Sequence, residues 1–167
     1  MLFSELEQDI QDELAELYIS NNLQDMVQAD LKWRLSEDLG IGIEYAWCEE
    51  DYYDELVLSN LEIRAHQFAA YVKACGDTYT ADFIAGRFSN TETFTMGDRY
   101  LSETLSEIRH TCGSRAHVVM MHLFNLYLAA EGTLDTTAEL YRELCREILE
   151  EDTETQYEAD GRWIRDC

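Results

Sequence analysis

The chain has 167 residues, with 35 acidic against 12 basic side chains and a formal net charge of -23. That balance excludes direct binding to nucleic acid or to anionic lipid, because both need cationic groups that displace counterions or approach a negative surface. With 46% hydrophobic and 11% aromatic residues there is still enough apolar material for a core, so the charge does not signal disorder.

Proline is absent and lysine occurs only at Lys32 and Lys73. Nothing therefore forces a helix to break, and solubility is left to carboxylates. The first segment sets Phe3, Leu6, Ile10, Leu14 and Leu17 at steps of three or four, with Glu5, Asp9, Asp12, Glu13 and Glu16 on the other side. Ser4 is the expected cap. Asn21 and Asn22 interrupt the pattern, and a second helix through Leu23, Val27, Leu31 and Leu35 runs to Gly40, so the two should form a helical hairpin. Residues 41–50 read as an irregular link. Over 51–75, Tyr53, Val57, Leu61, Ala65, Phe68, Val72 and Cys75 make one helical stripe, the preferred reading. Leu61, Ile63 and Ala65 also alternate with Glu62, Arg64 and His66, so a small β-hairpin within 43–65 is the α+β alternative.

Further on, the pattern predicts a short helix over 80–88, a polar connector over 89–93 and helices over 96–112 and 114–130, with stops at Gly113 and Gly132. A last helix follows over 135–151, with Leu140, Leu144, Ile148 and Leu149 expected inside. The acidic tail, 152–167, carries Tyr157 and Trp163 and is expected to pack back. The expected fold is mainly α: a single acidic domain over 1–167, built as a bundle of about six or seven helices.

The five cysteines, Cys48, Cys75, Cys112, Cys145 and Cys167, form no CxxC pair, and the start lacks a basic segment followed by an apolar one. They read as small buried hydrophobes of a cytoplasmic protein. No run approaches the roughly 18 apolar residues of a membrane span.

Motifs of chemistry are sparse. Glu107 and His110 form one E-x-x-H, the unit that carboxylate-bridged di-iron bundles use twice. Glu62 and His66 are four apart, and Cys112 lies between His110 and His117, but no second E-x-x-H and no glycine-framed nucleophile accompanies them. Phosphate-binding loops and EF-hand loops are absent. The reading assigns no catalysis, no metal and no cofactor.

Charge is unevenly placed. Residues 1–30 hold eight acids and no base, 31–60 eight acids against two bases, 61–120 seven against six, and 121–167 twelve against four. Like charges at helical neighbour spacing destabilise an isolated helix by roughly 0.2–0.5 kcal/mol per pair. Glu5/Asp9, Asp9/Glu13 and Asp12/Glu16 all have that spacing, so this is either an ordinary solvated acidic face or one that something other than solubility favours. Carboxylates one helical turn apart are roughly 5–6 Å from each other, close enough to imitate successive phosphates.

Small size, high helical content, absent proline and extreme acidity together resemble the DNA-mimic inhibitors that phages and mobile elements direct against nucleic-acid-binding defence enzymes. The resemblance lies in bulk character. It implies a non-catalytic protein that occupies the basic groove of a nucleic-acid-binding enzyme, such as a restriction or CRISPR effector, without touching nucleic acid or membrane. The partner-binding candidates are Glu5, Asp9, Asp12, Glu13 and Glu16, then Glu49, Glu50, Asp51 and Asp54. A homo-oligomer is left open. The alternative is a helical adaptor or chaperone-like protein whose aromatic groove, near Tyr45, Trp47, Tyr52 and Tyr53, binds a partner peptide. A salt-adapted protein and a helical metalloenzyme using Glu107 and His110 complete the set.

Overall fold

Around Arg64 the apolar spacing changes from two residues to three and four, and the backbone changes with it. In the computed structural model, which describes residues 1–52 and 55–164 and side chains at 1–18, 29–47, 57–136 and 139–164, a short 3-10 turn at Phe3–Glu5 precedes α1 (Gln8–Leu39). The strands β1 (Ile43–Tyr52) and β2 (Glu55–Arg64) lead into α2 (Ala65–Ala74) and α3 (Thr78–Arg87). Next come β3 (Thr93–Met96), α4 (Leu101–Cys112), a 3-10 turn at Gly113–Arg115 and α5 (Ala116–Glu151). The chain closes with β4 (Gln156–Tyr157) and β5 (Trp163–Ile164).

Helices dominate and the sheet is small, as a mainly α fold with a β part requires. Among the described residues there are five α-helices rather than about six or seven, because two expected breaks do not occur. Asparagine costs a helix less than about 1 kcal/mol relative to alanine, and α1 runs through Asn21 and Asn22. Gly132 costs about 1 kcal/mol, yet Ala130 and Leu134 on either side are fully buried, and α5 continues for 36 residues. Ser4 lies in the first 3-10 turn, and Glu7 stands at the start of α1.

The irregular link and the long helical stripe over 51–75 are also overturned. β1 and β2 form an antiparallel hairpin whose pairs include Ile43 with Ile63 and Ala46 with Leu61. β2 then pairs with β3, Leu61 opposite Met96 and Ile63 opposite Phe94. Two-sided pairing decides the strand: Leu61, Ile63, Phe94 and Met96 all bury their side chains on one face. The helical stripe holds from Ala65 onward, where Ala65, Phe68 and Val72 are fully buried.

The larger core lies between this sheet face and the helices, with Phe94 edge-to-face against Phe68 and Phe88. α1 and α5 pack antiparallel, since Asp30 meets Tyr141 and Asp12 meets Arg146. Burial and the Asp30 carboxylate push the Tyr141 phenol up to about 12. A smaller core of Phe3, Leu6, Ala15, Leu149 and Tyr157 joins the N-terminal turn, both long helices and β4. Cys112 and Cys145 are buried, but Cys75, at the end of α2, is exposed.

Two glycines give opposite expectations. A methyl group at Gly97 would run into the backbone carbonyl of Ser59 on the neighbouring strand, so Gly97→Ala should destabilise by about 1–3 kcal/mol or more. At Gly132 a methyl group meets nothing within 4 Å, and Gly132→Ala should stabilise by about 0.5–1 kcal/mol. Chemical denaturation of the two variants checks both signs.

Asp77 caps α3, accepting from the Thr80 backbone N–H at 3.1 Å and the Thr80 hydroxyl at 2.7 Å. His122 on α5 adds a contact at 3.0 Å. The Thr80 hydroxyl, then His122, then the Thr80 N–H hold the Asp77 carboxyl down at about 2. A lowered pKa stabilises the fold above the ordinary carboxylate range, and the benefit is lost as pH falls through the folded value. The melting-temperature gap between the wild type and Asp77→Ala should therefore be widest above about pH 4 and close toward about pH 2. Thermal melts over that range read it directly.

Candidate partner-binding surface

The first acidic set follows from the amphipathic start of α1. At about 100° per residue, Asp9, Asp12, Glu13 and Glu16 share an arc of about 100°, while Ala15 is buried and Ile10, Leu14 and Tyr18 pack on the other side. All four carboxylates are exposed, as is Glu5. They are not equivalent. Glu5 accepts from the Leu2 backbone N–H at 2.7 Å. Asp12 accepts from Gln8 at 2.9 Å and from Arg146 on α5 at 3.0 Å, and Arg146 chiefly holds its carboxyl below the usual range. Among the described residues, Asp9, Glu13 and Glu16 have no ion-pair partner.

The second acidic set is placed only in part. The backbone of Glu49, Glu50 and Asp51 belongs to β1, but their side chains lie outside those described, and Asp54 lies outside the described residues altogether. The neighbouring aromatics are partly resolved into a pair. Tyr45 and Trp47 stack edge-to-face with ring centres 5.0 Å apart, and both are about two-fifths exposed, at 39% and 42%. Tyr52 and Tyr53 fall outside the described side chains.

α5 carries a further acidic row. Glu131, Asp135, Glu139, Glu143, Glu147 and Glu151 recur at every fourth residue. Once residues 116–151 form one helix, they make a single ridge that rises about 6 Å and turns about 40° right-handed at each step. All but the half-buried Glu131 are exposed. Spacing alone carries the signal over 135–151, and a helix stop at Gly132 severs only Glu131 from the row. α5 packs against α1, so the two acidic helices lie side by side. Among the described residues, Arg34, Arg64, Arg146 and Arg162 ion-pair with Asp30, Glu44, Asp12, Glu150 and Asp160. None of these carboxylates belongs to the α5 ridge.

The remaining chemical candidates are not assembled. Glu107 and His110 are both exposed on α4, and no group of three metal-ligating side chains occurs among the described residues. His66 contacts the Phe88 carbonyl at 3.0 Å, and Glu62 accepts from Thr95 at 3.4 Å. Burial pushes the Cys112 thiol up, the direction opposite to activation of a nucleophile. A shallow cleft between α1 and α5 is lined by Arg34, Asp38, Ala129, Gly132, Thr133 and Thr136. Arg34 is paired with Asp30, and the Thr133 and Thr136 hydroxyls donate to carbonyls of their own helix.

Among the described residues no helix is long and apolar enough to cross a membrane. No family model, curated protein or solved structure matches the chain.

Proposed function

We propose that the protein is a non-catalytic decoy that occupies the basic nucleic-acid groove of a target enzyme, with restriction and CRISPR effectors as the leading class. The observation that carries this reading is the ridge on α5, five exposed carboxylates at four-residue intervals beside the unpaired Asp9, Glu13 and Glu16 of α1. Such a row is a poor way to stabilise a helix. It offers a basic groove what a strand backbone offers, negative charges at intervals of a few ångströms along a right-handed path. Net charge of -23 would steer association with a cationic groove and make it salt-sensitive. The acidic tail, with Glu154 and Glu158 exposed, extends the anionic surface.

Capture from host lysate on the immobilised protein, at low and at raised salt, tests the proposal. Recovery of a nucleic-acid enzyme that raised salt or added duplex DNA releases supports it. Salt-insensitive capture of a protein unrelated to nucleic acid overturns it and favours the adaptor reading, for which the exposed Tyr45–Trp47 pair is the specific observation. On that reading Trp47→Ala, rather than charge reversal, removes the captured partner.

A further inference from the structure

Beside the carboxylate ridge, the last turns of α5 carry a second row. Leu140, Leu144 and Ile148 are 42%, 41% and 39% exposed. By helical position they lie between the buried Tyr141, Cys145 and Leu149 and the ridge of Glu139, Glu143, Glu147 and Glu151. α1 adds Leu17, which is 55% exposed. The Asp12–Arg146 ion pair marks one flank of the α1/α5 pair. Leu17 stands about 140° around α1 from Asp12, and Leu144 and Ile148 stand about 160° around α5 from Arg146. By helical position these apolar side chains therefore turn toward the opposite flank, where the turn at Gly161 packs against Ile10 and Leu14 of α1. Glu13 and Glu16 lie beyond Leu17, so the strip has carboxylates along both margins.

We infer that this acid-bordered apolar strip is a docking site for a basic amphipathic helix of a partner protein. Charge selects the occupant. Anchors at every fourth residue fit the apolar face of a helix laid alongside, and carboxylates on both margins suit lysines or arginines flanking that face. A second copy of this chain would set ridge against ridge, each copy carrying a net charge of -23, and an anionic lipid surface is repelled in the same way. The inference does not depend on the decoy reading, because a basic amphipathic helix need not come from a nucleic-acid enzyme.

The test is titration with a labelled peptide of about 15 leucines and lysines at helical amphipathic spacing, at physiological ionic strength. A peptide of identical composition scrambled to destroy the apolar face is the control. The amphipathic peptide should bind at least about tenfold tighter than the scrambled one, an advantage that charge alone does not supply. Combined Leu140→Ser, Leu144→Ser and Ile148→Ser should remove that advantage. Leu128→Ser, at a 61% exposed position on another side of α5, should leave it intact. Circular dichroism establishes that the triple variant is folded, and Leu144→Ser alone is read in the same way should the triple variant unfold. Equal binding of the two peptides, or undiminished preference in the folded serine variants, overturns the inference. So does a wild-type dimer in sedimentation that the serine variants dissociate, which would make a second copy the occupant. DNA displacement plays no part in these readouts, so failure of the decoy reading leaves the inference standing.

Discussion

Glu139→Lys, Glu143→Lys and Glu147→Lys, made together, are expected to weaken binding to the captured target by at least about a hundredfold while leaving the fold intact. Each substitution removes an attraction to a cationic groove and adds a repulsion, so the change in charge across the contact is doubled. The fold should tolerate the change because all three side chains are exposed and take no part in the ion pairs that join α5 to α1. Asp9→Lys, Glu13→Lys and Glu16→Lys on α1 should act in the same direction. Asp12 is left out of that set because its carboxylate holds Arg146 and its loss would disturb helix packing. Asp82→Lys, Glu103→Lys and Glu107→Lys, at exposed positions in the nearly neutral middle of the chain, make the matched control and should change binding little. Binding isotherms on the three variants read the effect, and far-UV circular dichroism checks folding.

Phe94→Ala is expected to destabilise the protein by about 3–5 kcal/mol, the largest single-site effect on stability among the positions considered. Phe94 is 1% exposed, sits opposite Ile63 in the sheet and meets Phe68 of α2 at 5.6 Å and Phe88 at 4.9 Å between ring centres. It thus joins β3 to the helices that follow β2. Removing the ring leaves a cavity that the backbone of a paired strand cannot readily collapse to fill. Urea denaturation measures the loss, and a cost below about 1 kcal/mol would mean that this packing contributes little.

Much of the helical content was legible in the residues. Apolar steps of three and four located α3 and α4, and Gly40, with φ of 68°, ends α1 in the left-handed conformation that favours glycine; on α5 they chose the wrong row, since Leu140, Leu144 and Ile148 are exposed and Tyr141, Cys145 and Leu149 are buried. The β-hairpin was legible only as an alternative, because Leu61 and Ala65 satisfy a four-residue step and a two-residue step equally well. What settles the strand is non-local: β3, some thirty residues later, supplies Phe94 and Met96 as partners, and four residues over 93–96 are too short to register as a strand beside a polar connector. The two missed continuities share a cause. Asn21, Asn22 and Gly132 are weak helix formers, and their cost is small against the packing that a long antiparallel helix pair provides.

The candidate site was legible as residue types but not as an assembly. Asp9, Asp12, Glu13 and Glu16 could be placed on one face from spacing alone. That Asp12 is tied to Arg146 is a tertiary fact with no local signal. The α5 ridge from Asp135 to Glu151 is written in the four-residue spacing of the expected last helix, and only Glu131 needs Gly132 to be helical. Tyr45 and Trp47 flank register shifts of β1, where the strict alternation that separates the two faces of a strand is interrupted.

The central claim, that the acidic helices stand in for nucleic acid, is tested most directly by competition on the captured enzyme. Its affinity for duplex DNA is measured at several concentrations of this protein and at two salt concentrations. The account predicts mutually exclusive binding, with apparent DNA affinity falling in proportion to added protein and the competition weakening as salt rises. A ternary complex in which the enzyme holds DNA and this protein together, with DNA affinity unchanged, would contradict it.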